Sequence, residues 1–155
     1  KELRGQCSCG AVEFKFSPDS LRAYQCHCSL CQKASGSAYS TTLMAPENRF
    51  SWVRGAEHIS SYEKDSGYKV SFCSRCGSPV PNKFRGLPLF SIPAGSLDGE
   101  PDLEIVAKIY LGSQVKWDND RFNGKCFSER PSLDEVFNLL GVTTEPSRKN
   151  TAATW

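Results

Sequence analysis

Apolar and polar residues alternate along Val12-Glu13-Phe14-Lys15-Phe16, and the alternation stops at Ser17-Pro18-Asp19. A period of two residues is that of a strand with one face buried. Similar short runs recur at Arg22 to Gln25, Tyr39 to Leu43, Phe50 to Val53, His58 to Tyr62, Tyr68 to Phe72, Leu89 to Ile92 and Glu104 to Tyr110. Turn signals at Pro46-Glu47-Asn48, Arg54-Gly55, Ser66-Gly67 and Asp98-Gly99 separate them, as in a β-rich domain. The aromatic residues Phe14, Phe16, Phe50, Trp52, Phe72, Phe84 and Phe90 fall at strand spacing and read as core.

Helix is scarce. One is marked at both ends: Ser132 and Glu135 form a capping box, Leu133, Val136, Phe137 and Leu140 repeat at i, i+3, i+4, i+7, and Gly141 ends the run. A single helical turn can begin near Ser29, carry Cys31 to Ala34 and close at Gly36. The expected architecture is mainly β, a single domain over residues 1–143 with one short C-terminal helix, followed by a polar tail at 144–155.

At 155 residues the chain can bury a core without staples. Nineteen basic residues against 17 acids leave a net charge of +2, too little to gather nucleic acid or an anionic membrane surface. No apolar run approaches the roughly 18 residues that cross a bilayer, and no secretory stretch opens the chain. A cytoplasmic protein is the expectation.

The eight cysteines change the picture. Seven fall into Cys7-x-Cys9, Cys26-x-Cys28-x-x-Cys31 and Cys73-x-x-Cys76, and Cys126 stands alone. A disulfide framework is the bland alternative, but tight groups in a reducing compartment have the spacing of metal knuckles. Cys7-Ser8-Cys9-Gly10 and Cys73-Ser74-Arg75-Cys76-Gly77 are natural partners, because each ends in cysteine-glycine. Together they would make a closed four-thiolate structural zinc site that ties the first strand to the middle of the chain.

Cys26, Cys28 and Cys31 are then left as three ligands with an open position, which is how catalytic zinc is held. Two zinc ions per chain are expected. Residues two apart in extended chain point the same way, so Cys26 and Cys28 converge while His27 faces away, toward packing rather than ligation. Cys126 could close the second site, or be a small buried hydrophobe. His58 reads as an ordinary sheet histidine. Lys33, Arg75, Lys83 and Arg85 lie near the cysteine groups; they are solvated surface by default and carboxylate-binding groups on the sharper reading.

At Gly5-Gln6-Cys7-Ser8-Cys9-Gly10-Ala11-Val12, Cys26-His27-Cys28-Ser29-Leu30-Cys31-Gln32-Lys33-Ala34-Ser35-Gly36, Phe72-Cys73-Ser74-Arg75-Cys76-Gly77-Ser78 and Ala94-Gly95-Ser96-Leu97-Asp98, the chain resembles the glutathione-dependent formaldehyde-activating enzyme family, which includes the centromere protein V type of domain. The resemblance implies a tent-like β fold, a structural zinc on Cys7, Cys9, Cys73 and Cys76, and an active-site zinc on Cys26, Cys28 and Cys31. It implies condensation of glutathione with formaldehyde to S-hydroxymethylglutathione, the reverse of a carbon-sulfur lyase reaction. A small thiol and a small aldehyde would be the partners, with Lys33 the first candidate to meet the thiol's carboxylates. Family members often carry a histidine in the late segment where this chain has Lys108, followed by Trp117. The competing function is a non-catalytic zinc module for protein or nucleic acid, and the fourth ligand of the second site discriminates the two.

Overall fold

The alternating run after the first cysteine pair forms the middle of a small sheet. The computed structural model describes residues 1–118 and 122–143; the tail at 144–155 lies outside them. Strands β1 (Leu3–Gln6), β2 (Glu13–Phe16) and β5 (Phe50–Arg54) make one antiparallel sheet in the order β1-β2-β5. Strands β6 (Ile59–Glu63), β7 (Lys69–Cys73) and β8 (Pro79–Val80) make a second.

The third sheet has six strands. It contains β3 (Arg22–Cys26), β4 (Ser40–Pro46), β9 (Asn82–Lys83), β10 (Leu89–Pro93), β11 (Glu104–Ile109) and β12 (Lys125–Cys126), ordered β12-β11-β3-β4-β10-β9. Its pairings are antiparallel except around β11, which runs parallel to both β3 and β12. The expected mainly β, single-domain architecture with a short C-terminal helix is the one observed.

Both faces of the large sheet are covered. On one, Ala23, Leu43, Ala45 and Ile92 pack with Leu3, Phe14 and Phe16 of the small sheet. On the other, Tyr24, Met44, Leu89 and Ile109 pack with Leu133, Val136, Phe137 and Leu140 of α2 (Leu133–Leu140). The register shifts between Ile105 and Ala107. That bulge lets Ile105 serve the first face while Ala107 and Ile109 serve the second, since strict alternation would put all three on one side.

Helix α2 forms as its pattern predicts: the Ser132 hydroxyl accepts from Glu135 N at 3.2 Å, and Gly141 closes it at φ 63°. Eight residues are too few to hold a helix alone. Burial of its four apolar side chains, roughly 1.5–3 kcal/mol each before entropy is counted, supplies the missing stability. The short helix α1 (Ser29–Ser35) also forms, capped by Cys28 and closed by Gly36.

Two expectations need correction. Phe72 is not core: it is 36% exposed, while Ser71 and Cys73 beside it are buried. Burial of Cys73 sets the parity of β7, so Ser71 points inward, bonded to Ser61 across the strands at 2.7 Å, and Phe72 points out. His58 is not in a strand but ends a helical turn before β6, half-buried beside Glu57 at 3.5 Å.

Candidate metal centres and the cleft between them

The first centre is built by two backbone turns, each ending in a glycine of positive φ. In the β1–β2 connection, Cys7 N donates to Val12 O at 3.0 Å and Gly10 N to Cys7 O at 2.9 Å. After β7, Cys73 N donates to Ser78 O at 2.9 Å and Gly77 N to Cys73 O at 2.8 Å. Gly10 and Gly77 take φ of 74° and 75°, a conformation strained for residues with a Cβ. Ser8 N bonds Ser78 Oγ at 3.0 Å and joins the two turns.

These turns bring the sulfurs of Cys7, Cys9, Cys73 and Cys76 within 4.8 Å of one another. Cys7 Sγ lies 3.6 Å from Cys9 Sγ, and Cys9 Sγ lies 3.9 Å from Cys73 Sγ. Four thiolates at about 2.3 Å from a tetrahedral zinc would stand about 3.8 Å apart, so the donor set fits the ion. All eight cysteines are free thiols, which disposes of the disulfide framework.

The Ser78 hydroxyl and amide hold Cys76 down at about 5. Burial opposes ionisation of Cys7, but the Val12 amide, 3.2 Å from its sulfur, helps to carry it below the ordinary thiol value.

The second centre sits where β3 runs into α1. Cys26 ends the strand, Cys28 is the residue capping the helix, and Cys31 lies in the first turn. Their sulfurs also lie within 4.8 Å of one another. Cys28 Sγ accepts from Cys31 N at 3.4 Å. Hydrogen bonds from the Cys26 and Cys31 thiols, helped by the Cys31 amide, carry Cys28 down to about 2, and Cys26 is correspondingly raised.

Among the described residues no fourth side chain joins this trio. His27 is fully buried on the other side, its ring 4.9 Å from that of Tyr39 and its Nδ1 3.4 Å from Asp118 Oδ2. Gln32 Nε2 donates to both His27 O at 2.7 Å and Ser113 O at 2.9 Å, fastening α1 to the loop after β11. Cys126 is exposed on β12, so it is neither a ligand of the trio nor a buried hydrophobe. Lys108 is buried, with Nζ 4.9 Å from the centre of the Phe122 ring, and Trp117 is exposed.

The trio opens into a cleft of about 1100 Å³. Tyr24, Tyr68, Arg85 and Tyr110 stand on its wall with Cys26, Cys28 and Cys31, and its far end reaches Gln6, Ser8 and Ser78 near the first centre. Burial, and then the negative trio, raise Tyr24 and Tyr68 above the ordinary phenol value; burial raises Tyr110 as well, so all three hydroxyls keep their protons. Tyr68 donates to Leu30 O at 3.2 Å.

Of the four cations expected near the cysteines, Arg85 alone lines the cleft; Lys69 is the other basic residue there. Lys33 is exposed on α1 and does not line the cleft, Arg75 is exposed, and Lys83 pairs with Glu47 at 2.9 Å. The tyrosines carry no local sequence signal, because strands distant in sequence bring them together.

No helix among the described residues is long and apolar enough to cross a membrane. The family profile of the glutathione-dependent formaldehyde-activating enzymes matches residues 2–113. A Halomonas elongata protein provisionally named for that activity is 40% identical over 85 residues, covering 50% of this chain and 54% of its own length. The chain thus spans about half of that relative. A Penicillium rubens protein with the same provisional name is 29% identical over 158 aligned positions, covering 92% of this chain and 74% of its own. A crystal structure of a Rhodobacter sphaeroides protein superposes with a TM-score of 0.55 at 27% identity, covering 64% of this chain and 91% of that one. With more than half its residues matched in family order, the chain belongs to the glutathione-dependent formaldehyde-activating enzyme family.

Proposed function

We propose that the protein condenses a small thiol, of the glutathione kind, with a small aldehyde such as formaldehyde, on a zinc held by Cys26, Cys28 and Cys31. The observation that carries this reading is the three-sulfur cluster facing a cleft with no fourth ligand among the described residues. Cys26, Cys28 and Cys31 would hold the ion, and the chemistry it would supply there is stabilisation of an incoming thiol in its ionised form at neutral pH. The family relation supports the substrate class. A second zinc, on Cys7, Cys9, Cys73 and Cys76, would be structural.

In the reaction the thiol sulfur bonds to the carbonyl carbon, the C=O π pair moves to oxygen, and the thiol proton ends on that oxygen as a hydroxyl. Sulfur, carbon and proton are conserved, and no oxidant is needed. The chain contributes position, by holding both reactants in one cleft, and the protonated Tyr110 hydroxyl on the wall would donate to the developing alkoxide. Three thiolates blunt the ion's Lewis acidity, which favours positioning over strong polarisation of the aldehyde.

The test is exchange NMR of formaldehyde with glutathione, with metal content measured on the same sample. Two zinc equivalents and adduct formation faster than the uncatalysed rate are expected, with the acceleration lost in Cys28→Ser. Adduct formation at the uncatalysed rate by fully zinc-loaded protein would overturn the proposal and leave a zinc-binding module.

A further inference from the structure

The hairpin between β9 and β10 turns at Phe84-Arg85-Gly86-Leu87, where Leu87 N donates to Phe84 O at 2.8 Å and Phe84 N to Leu89 O at 2.8 Å. Arg85 and Gly86 have φ of 46° and 70°. Positive φ at both central residues is the type I′ turn, which favours asparagine, aspartate or glycine at the first position. An arginine there is a poor choice for the turn. Among the described residues the only other non-glycine with positive φ is Tyr110, and both line the cleft beside the cysteine trio. Strained residues that cluster at one cavity point to a use for their side chains.

The turn directs the Arg85 side chain across the Ser66-Gly67 bend on the same wall. Nη1 donates to Ser66 O at 2.9 Å, and a Cβ on Gly67 would stand 2.9 Å from that nitrogen. One edge of the guanidinium is thus fixed by backbone. Lys83, two residues earlier, has Glu47 as its counter-ion, whereas Arg85 makes no ion pair with a carboxylate among the described residues. Burial, offset in part by Tyr110 and reinforced by the nearby Arg130, depresses the Arg85 pKa; an incoming anion would relieve that.

From this geometry we infer that Arg85, with Tyr110 beside it, receives a carboxylate of the thiol substrate, so that the cleft selects carboxylate-bearing thiols over neutral ones. The inference rests on the functional reading above. A guanidinium fixed at one edge offers its remaining N–H groups in a planar fork matched to a carboxylate. Bound at that end, the ligand is left free to reach the trio with its sulfur.

Calorimetric titration of the zinc-loaded protein with glutathione and with its dimethyl ester tests it, since the two share a thiol and differ in charge. The parent should bind the acid about tenfold more tightly than the ester or better. Arg85→Asn should bind both as weakly as the ester, while its Tm stays level or rises, because asparagine suits the turn. Equal affinity of the parent for acid and ester, or a preference retained in Arg85→Asn, overturns the inference and leaves the functional reading standing. Binding of neither form by the parent overturns both. Should Arg85→Asn fail to fold, the parent's acid-to-ester ratio decides alone.

Discussion

Cys9 Sγ lies 3.9 Å from Cys73 Sγ although 64 positions separate them in the chain. A metal at this centre would tie β1 and β2 to the end of β7, and its binding free energy would be folding free energy. Cys73 is fully buried, so serine there removes a ligand and leaves a hydroxyl in an apolar pocket beside Val12 and Val80. Cys73→Ser should lose one zinc and at least about 3 kcal/mol of stability, seen as a Tm lower by about 6–12 °C. A variant melting with the parent would show that the first centre does not hold the fold.

The same centre is backed by Gly55. A Cβ at this residue would stand 1.9 Å from Ala11 O, and φ there is 78°. Ala11 leads into Val12, whose amide bonds Cys7 Sγ, so pressure on Ala11 is passed to a candidate metal ligand. Gly55→Ala should cost about 3 kcal/mol and make zinc easier to withdraw by a competing chelator. Unchanged melting and chelator resistance would mean that the turn gives way without disturbing the cysteine knuckle.

What was legible in the sequence was local. Ser132, Glu135 and Gly141 mark α2 within ten positions, and the cysteine-glycine endings mark the two knuckles as a pair. The strands of two residues, β8, β9 and β12, show no period because two residues cannot display one. The parallel pairing that sets Tyr24 beside Ala107 has no local signature either, and the tyrosine wall of the cleft depends on it. Arg85 could be named only as one of four cations, since the left-handed turn that aims it is a backbone property. Lys33 follows Cys31 closely in sequence, yet α1 turns it outward.

Asp19 offers a pH-dependent clasp between the ends of the domain. Its carboxylate accepts from Arg49 and from Thr143 N and Oγ1 at 3.2 and 3.4 Å. Partial burial would raise its pKa, but the Arg49 hydrogen bond and charge, with Thr143, carry it below the ordinary carboxylate value. A depressed folded-state pKa contributes stability that is present above the unfolded value and lost as pH falls through the folded one. Asp19→Asn should therefore lower Tm by about 3 °C at pH 7, with the difference from the parent vanishing in acid. A gap that persists below pH 3 would assign the effect to packing instead of charge.

Cys28 separates the roles of the two centres. Its sulfur caps α1 by accepting from Cys31 N at 3.4 Å, and serine is among the best residues for that position. The ligands Cys26, Cys28 and Cys31 lie within a single short segment, so losing the metal opens no long loop. Cys28→Ser should therefore keep its fold, with a Tm within about 3 °C of the parent, while releasing one of two zinc ions and any thiol-aldehyde activity. Circular dichroism melts and metal analysis on the same preparation read both quantities without knowledge of the substrate. A Cys28→Ser protein that melts as low as Cys73→Ser would make the second centre structural as well, and the open position facing the cleft would then owe its form to folding.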